Sequence, residues 1–314
     1  MQIINLKEAI NNGASASGLI YVNSEPQIRP GRKDYILGDL MFKGQIVQFR
    51  SWEDDVLEIL RDHGKGIYVA ETLGQEYKSF SYLNIRSIDL YVGDEVTEED
   101  FQDRIPSGEL EGKWADVLEQ LQERGLSDVC IRLIKDVLND PELDGRFFTE
   151  GAAVKHHDNQ IGGLWNHTSK MLRILVALLD NNKELLPSVD LMTFSVVVHD
   201  IGKVFEYDAL SMSEHWYANH RVRGIEFLVK YRERIFETFS ENFYRQVQAV
   251  IAGHHGEYGD RPTTVAAVII HYIDSLESQA TELLREQEAS PQSKFISPGF
   301  GYLESIYPDK QAGE

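Results

Sequence analysis

Cysteine is nearly missing from these 314 residues: Cys130 is the only one. A single thiol excludes an intramolecular disulfide framework and a zinc site of clustered thiolates, and it suits a reducing, cytoplasmic compartment. Long apolar runs are missing too, none nearing the roughly 18 to 20 residues of a membrane span. The opening MQIINLKEAINNGASASG has no basic region followed by an apolar one, so no signal peptide is expected there. Positive charge is scarce: 31 Lys and Arg against 51 Asp and Glu leave a net charge of −20. Such acidity repels polyphosphate backbones at long range and argues against a general nucleic-acid binder. The imbalance is uneven. Residues 1–90 carry 10 basic and 12 acidic side chains, a net of −2, whereas 91–150 carry 6 and 17, a net of −11.

What is present divides into two patterns. In residues 1–90 short apolar or alternating runs (GLIYVNS, DYILGDLMFKG, QIVQFRSW, GIYVAETL, SFSYLNIRSIDLYV) are separated by turn signals such as RPGRKD and RDHGKG. DDVLEILRDHG, between the third and fourth runs, reads as a helix. Five strands with a helix in that place have the order of an OB-fold, a small β-barrel. Residues 91–112 are polar, acidic and broken by Pro and Gly, and read as a linker. From Lys113 to about residue 290 the apolar spacing is three and four, so an all-α domain follows. Residues 291–314 are expected to be an irregular tail. The fold class is therefore α+β and multidomain.

Of ten histidines, only His63 lies outside residues 156–271. His167 falls within one expected helix; His199 and Asp200 end another, just before Ile201-Gly202-Lys203. His220 begins a third helix, His254-His255 ends a fourth, and Asp274 lies within a fifth. Any one histidine on an apolar face is ordinarily a core residue. The ordered pattern H…HD-x-G-K…H…HH-G…D, each part on its own helix, points to a site for first-row divalent cations, which take imidazole and carboxylate donors from facing helices.

This pattern resembles the HD superfamily of metal-dependent phosphohydrolases. Within it, the wording is similar to the YhaM-type 3′–5′ exoribonuclease family, in which an OB-fold precedes an HD domain. The phrases that carry the likeness are IGGLWNHTSKML, VVVHDIGKVFEYD and AGHHGEYGDRPTTVAAVIIHYIDSLES, with a more diffuse likeness in the barrel. The resemblance implies that His167, His199, Asp200 and Asp274 hold a first divalent ion. It implies that His220 and His254, with His255, hold a second ion or meet the scissile phosphate. Two Mn²⁺ ions are expected, with Mg²⁺, Co²⁺ or Fe²⁺ as alternatives; such ions polarise a phosphodiester and acidify a water. Lys203 would meet phosphate oxygens, so Lys203, Asp200 and His220 form the expected catalytic set. Arg223 and Arg261 are further phosphate candidates. His157 is a substrate candidate, although the spacing from the His156-His157 pair to Gly162-Gly163 is one residue longer than in the family.

OB-folds stack bases on exposed aromatics beside a basic groove. Phe42, Phe49, Trp52, Tyr68 and Tyr82 are available, with Lys43, Arg50, Lys78 and Arg86 nearby. Alternation in MFKGQIVQFRSW would put Lys43, Gln45, Val47 and Phe49 on one face, and Trp52 follows that strand directly. The implied substrate is single-stranded RNA, with single-stranded DNA a further candidate. Two other readings stand: a nucleotide phosphohydrolase or cyclic-nucleotide phosphodiesterase, favoured by the acidity, and a binding module with a degenerate site. No membrane partner is expected; self-association through 91–150 or the aromatic tail is open.

Overall fold

The structure is a computed structural model that describes all residues except 1, 14, 78–79, 155–157, 209, 257–258, 290–293, 298 and 307–314. The N-terminal half begins with helix α1 (Leu6–Asn12) and continues as strands β1 (Ser15–Val22), β2 (Gln27–Arg29), β3 (Tyr35–Phe42) and β4 (Gln45–Ser51). Helix α2 (Asp54–His63) and strands β5 (Gly66–Tyr77) and β6 (Phe80–Leu90) complete it. The five expected strands and the intervening helix are present; β2 is a short addition at the edge. Strand β1 pairs antiparallel with both β5 and β3, β3 with β4, β5 with β6, and β4 runs parallel to β6. The pairing path β1–β3–β4–β6–β5 therefore returns to β1.

Ile20, Val22, Ile36, Leu40, Phe49, Leu83 and Ile85 fill the inner side of this sheet, with Val56 and Leu60 of α2 against them. Phe49 is fully buried, so it does not stand exposed beside Lys43 as the alternation suggested. A period of two separates the faces of a strand without saying which face turns inward. Gly38 on the paired strand makes room for that ring, since a Cβ there would lie 2.7 Å from Phe49 Cε1. Leu19 and Tyr21 point the other way, into a second cluster with Met41, Phe101 and Leu210.

That second cluster anchors the segment read as a linker, 91–112, at Phe101. Phe101 is buried, the Tyr21 hydroxyl donates to Glu98 at 2.9 Å, and Lys43 N–H donates to Phe101 O at 2.6 Å. The segment is a packed strap, and helix α3 (Ser107–Glu123) starts before Lys113.

The helical half continues with α4 (Asp128–Leu138), α5 (Gly163–Asn181), α6 (Val189–Val198), α7 (Lys203–Glu206), α8 (His220–Leu228), α9 (Arg232–Thr238), α10 (Glu241–Gly253) and α11 (Val265–Ala289). Helix α6 is buried at eight of its ten positions, so it has no solvent face and runs through the core. The stretch Lys183–Glu206 is apolar enough to pass for a membrane span by composition, yet 67% of its most apolar window is buried inside the protein. Between α7 and α8 lies a minimal hairpin, β7 (Tyr207–Asp208) and β8 (Ser211–Met212). The tail is more regular than expected: β9 (Lys294–Ser297) pairs with β10 (Gly301–Glu304).

Candidate metal centre

Five helices deliver the motif residues to one place. His167 lies on α5, His199 and Asp200 follow the last turn of α6, and His220 opens α8. His254 and His255 follow α10, and Asp274 lies on α11. The sharp exit from α6 depends on Gly202. A Cβ at that position would lie 1.8 Å from His220 O and 2.6 Å from Gly224 N, so only glycine lets α8 approach the His-Asp pair this closely.

Asp200 is the hub. Its Oδ1 lies 3.3 Å from His254 Nε2 and 3.5 Å from His220 Nε2. Its Oδ2 lies 3.2 Å from His199 Nε2 and 3.9 Å from His167 Nε2. His167 Nε2 is in turn 3.3 Å from Asp274 Oδ1, and His220 Nε2 is 3.1 Å from His255 Nε2. Among the described residues donor atoms converge in three groups: Asp200 with His220, His254 and His255; His167 with His199 and Asp274; and, behind His167, Asp158 with His167 and Glu277.

Each ring is aimed by what holds its other nitrogen. His199 Nδ1 bonds Val196 O at 2.7 Å and His254 Nδ1 bonds Ile251 O at 2.9 Å. His220 Nδ1 meets Glu206 Oε2 at 2.5 Å, and His167 Nδ1 meets Glu277 Oε2. With Nδ1 donating, the rings of His199, His220 and His254 turn Nε2 inward, which is how imidazoles are presented to cations, and His167 turns its Nε2 the same way toward Asp274. The buried Nε2 atoms of His199 and His254 and Oδ1 of Asp200 have no hydrogen-bond partner among the described residues. Three orphaned buried polar atoms facing one another cost several kcal/mol, on the order of 1–3 each, unless a cation satisfies them. The donor set fits a divalent ion.

The electrostatics agree with that fit. Burial opposes charge on Asp200, but Lys203 and His199 hold its carboxyl well below the usual carboxylate range. Asp274 is also lowered against its burial, chiefly by His167. Burial lowers His254, and burial together with His254 pushes His255 down to about 3, so both stay neutral and keep lone pairs available. His167 is disfavoured as a cation by burial, yet Asp274 and Glu277 outweigh this and lift it to about 10.

Lys203 is in the site but is already engaged: Nζ lies 2.6 Å from Asp200 Oδ2 and donates to Ala152 O at 2.5 Å. The substrate candidates are scattered. Trp52 stacks on Tyr35 with ring centroids 5.4 Å apart and meets Tyr82 edge-on, while Arg50 lies over Tyr82 at 4.8 Å. Tyr68 is buried. Lys43 sits at the β3–β4 turn, donating to Gln102 O at 3.1 Å. Arg223 packs over Phe205, and Arg261 is exposed just before α11. His157 lies outside the described residues, as do His156 and Lys78.

Sequence reasoning missed Glu206 and Glu277, the two carboxylates behind His220 and His167. Glu277 Oε1 takes Lys170 Nζ at 2.9 Å and the Thr281 hydroxyl at 2.7 Å, and Lys170 also reaches Asp158 Oδ2 at 3.0 Å. Their only signals were positional: Glu277 is three residues beyond Asp274, and Glu206 three beyond Lys203.

The HD domain family matches residues 164–279, the span that carries the whole cluster. Over 260 residues the chain is 27% identical to the 3′-5′ exoribonuclease YhaM of Geobacillus sp., covering 77% of this chain and 75% of that one. It is 25% identical over 238 residues to the protein of the same name from Listeria monocytogenes, with 72% and 73% covered, and equally to that of Listeria welshimeri. No solved structure matches. Residues 164–279 of this chain thus match the HD domain family, within a sequence similar along about three quarters of its length to the YhaM exoribonucleases.

Proposed function

We propose that this protein is a metal-dependent 3′–5′ exoribonuclease that removes nucleotides from single-stranded RNA. The observation that carries the reading is the convergence of seven motif side chains, His167, His199, Asp200, His220, His254, His255 and Asp274, on two donor groups that share Asp200 as a neighbour. His167, His199 and Asp274 would hold one ion and His220, His254 and His255 the other, with Asp200 between them. Divalent ions there, Mn²⁺ first among them, supply Lewis acidity toward a phosphodiester. The chain's own contribution is to bind and orient. Glu206, Glu277 and the two backbone carbonyls fix the ring tautomers, and Lys203 offsets the charge of Asp200.

The N-terminal half supports a polymer substrate. Its pairing path, with one parallel pair and a helix between the third and fourth long strands, supports reading it as an OB-type barrel. Tyr35 and Trp52, half-buried and backed by the buried Tyr82, offer stacking surface for bases beside Arg50. A cleft of about 960 Å³ between the β3–β4 turn and helices α5 and α11 is lined by Lys7, Lys43, Lys170 and Arg285 and equally by Asp103, Asp158, Glu286 and Glu288, so it is a polar cleft of mixed charge. Single-stranded DNA is a second polymer of the same chemistry. A small-substrate phosphodiesterase is the second reading, favoured by the net charge of −20.

With Mn²⁺ present, 5′-labelled single-stranded RNA should give a ladder of progressively shorter products that EDTA abolishes. Intact RNA beside a hydrolysed chromogenic phosphodiester would overturn the polymer reading in favour of the small-substrate one.

A further inference from the structure

Two exposed aromatic side chains stand in contact on the loop that leads directly into His220. Trp216 is 56% exposed and Tyr217 is 71% exposed, with ring centroids 6.5 Å apart at 75°. They occupy the loop of residues 213–219 between β8 and α8, which neither the HD motif nor the proposed mechanism uses.

The loop is tied at both ends to Glu206. Ser213 N–H donates to Glu206 O at 2.9 Å, and the Ser213 hydroxyl donates to Phe205 O at 3.1 Å. At the other end the backbone N–H and Nδ1 of His220 both engage Glu206 Oε2, at 3.2 and 2.5 Å. Within the loop Trp216 N–H donates to Ser213 O and Ala218 N–H to His215 O, while Asn219 caps α8 through Val222 N–H. The base of the loop is thus the residue that aims His220 into the cluster. Three residues separate Trp216 from His220, so their Cα atoms, four steps along the chain, are at most about 14 Å apart. The hairpin on which the loop is mounted also carries Leu210, packed against Leu19, Tyr21 and Met41 of the sheet half, and Asp208, which Lys65 reaches at 3.2 Å. The loop that carries the aromatic pair is therefore anchored on one side to a residue of the metal centre and on the other to a hairpin that packs on the sheet half.

We propose that Trp216, with Tyr217, is a stacking platform for a nucleobase flanking the scissile phosphodiester. The ligand class follows from the chemistry. The platform presents exposed π-faces, which suit an aromatic base of any identity and give grip without sequence preference. Tyr217 is steadied by His215, whose Nδ1 lies 3.4 Å from the hydroxyl. Stacking at this point would hold the terminal nucleotide while its phosphate lies among the metal ligands, an orienting role that an exonuclease acting on any sequence requires. This inference rests on the exoribonuclease reading above.

The test compares kcat/KM for a 12-nucleotide RNA with the same strand carrying an abasic residue at the last or last-but-one position. The wild-type protein should favour the complete strand about tenfold, the worth of one base stacked on one ring. Trp216→Ala should reduce that ratio to within about twofold, and Trp216→Phe, which keeps a ring, should restore most of it. Circular dichroism and thermal melting of each variant establish that it is folded, as expected for a side chain more than half in solvent. A wild-type enzyme indifferent to the missing base overturns the proposal, as does a Trp216→Ala variant with full discrimination. If Trp216→Ala instead changes the mass in sedimentation and leaves discrimination intact, the pair is a contact between copies of the chain and the proposal fails. Failure of the underlying reading is distinguishable, because wild-type protein would then hydrolyse a chromogenic phosphodiester and leave every RNA intact.

Discussion

At the scale of single residues, the side chains of the candidate metal centre depend on the groups behind them. Glu277 commits Oε1 to Lys170 and Thr281 and leaves Oε2 for His167 Nδ1, so the ring is held with Nε2 facing Asp274 and Asp200. Glu277→Gln keeps the shape and removes the charge. Affinity for Mn²⁺, read by isothermal titration, should fall about 10- to 100-fold at one of two sites. Glu206→Gln should do the same at the other. Unchanged affinity in both variants would mean that the rings hold their orientation by packing alone. His167, His199, Asp200 and Asp274 were legible because the wording around them is distinctive and each falls on its own helix. Glu206 and Glu277 were not, because two more acids in a chain with 51 of them carry no signal until the fold shows what they touch.

At the scale of elements, the close approach of α7 and α8 depends on one hydrogen atom. Gly202 has a φ of −67°, so its backbone suits any residue, and the demand is purely for space. Gly202→Ala would push a methyl group into the His220 carbonyl and the Gly224 amide, both backbone atoms that cannot swing aside. Overpacking of this kind costs about 3 kcal/mol, and it separates His220 from Asp200, so the denaturation midpoint and Mn²⁺ binding should drop together. Gly112, inside α3, is the control: an added methyl there would meet nothing within 4 Å. Gly112→Ala should stabilise by about 0.5–1 kcal/mol through helix propensity and leave binding unchanged. If Gly202→Ala melts like Gly112→Ala, the steric account of the motif glycine is wrong. Helix and strand order was readable from periodicity, including the helix between the third and fourth long strands. The inward face of β4 and the β9–β10 hairpin were not, because alternation and turn residues fix spacing without fixing partners.

At the scale of the whole molecule, the two halves are joined by packing as well as by chain. Phe101 comes from the acidic segment, Leu19, Tyr21 and Met41 from the sheet and Leu210 from the hairpin beside the metal centre, and all five are buried in one cluster. The sequence hid this junction because its apolar residues are sparse: in 91–112 the polar and acidic majority reads as solvated chain, and Phe101 is one ring among them. The junction has a consequence for activity if the sheet half delivers a strand to the metal ligands. Phe101→Ala removes the central ring and leaves a cavity, a change that typically costs about 3–5 kcal/mol where a core cannot collapse. Here that loss falls on the contact between halves, since the sheet and helical cores have separate apolar clusters. The expected result is faster proteolysis within 91–112, a clear loss of kcat/KM on single-stranded RNA, and near-normal hydrolysis of a small chromogenic phosphodiester that needs only the metal centre. Equal losses on both substrates would show that the cluster supports the metal centre directly and that alignment of the halves is not what a polymer requires.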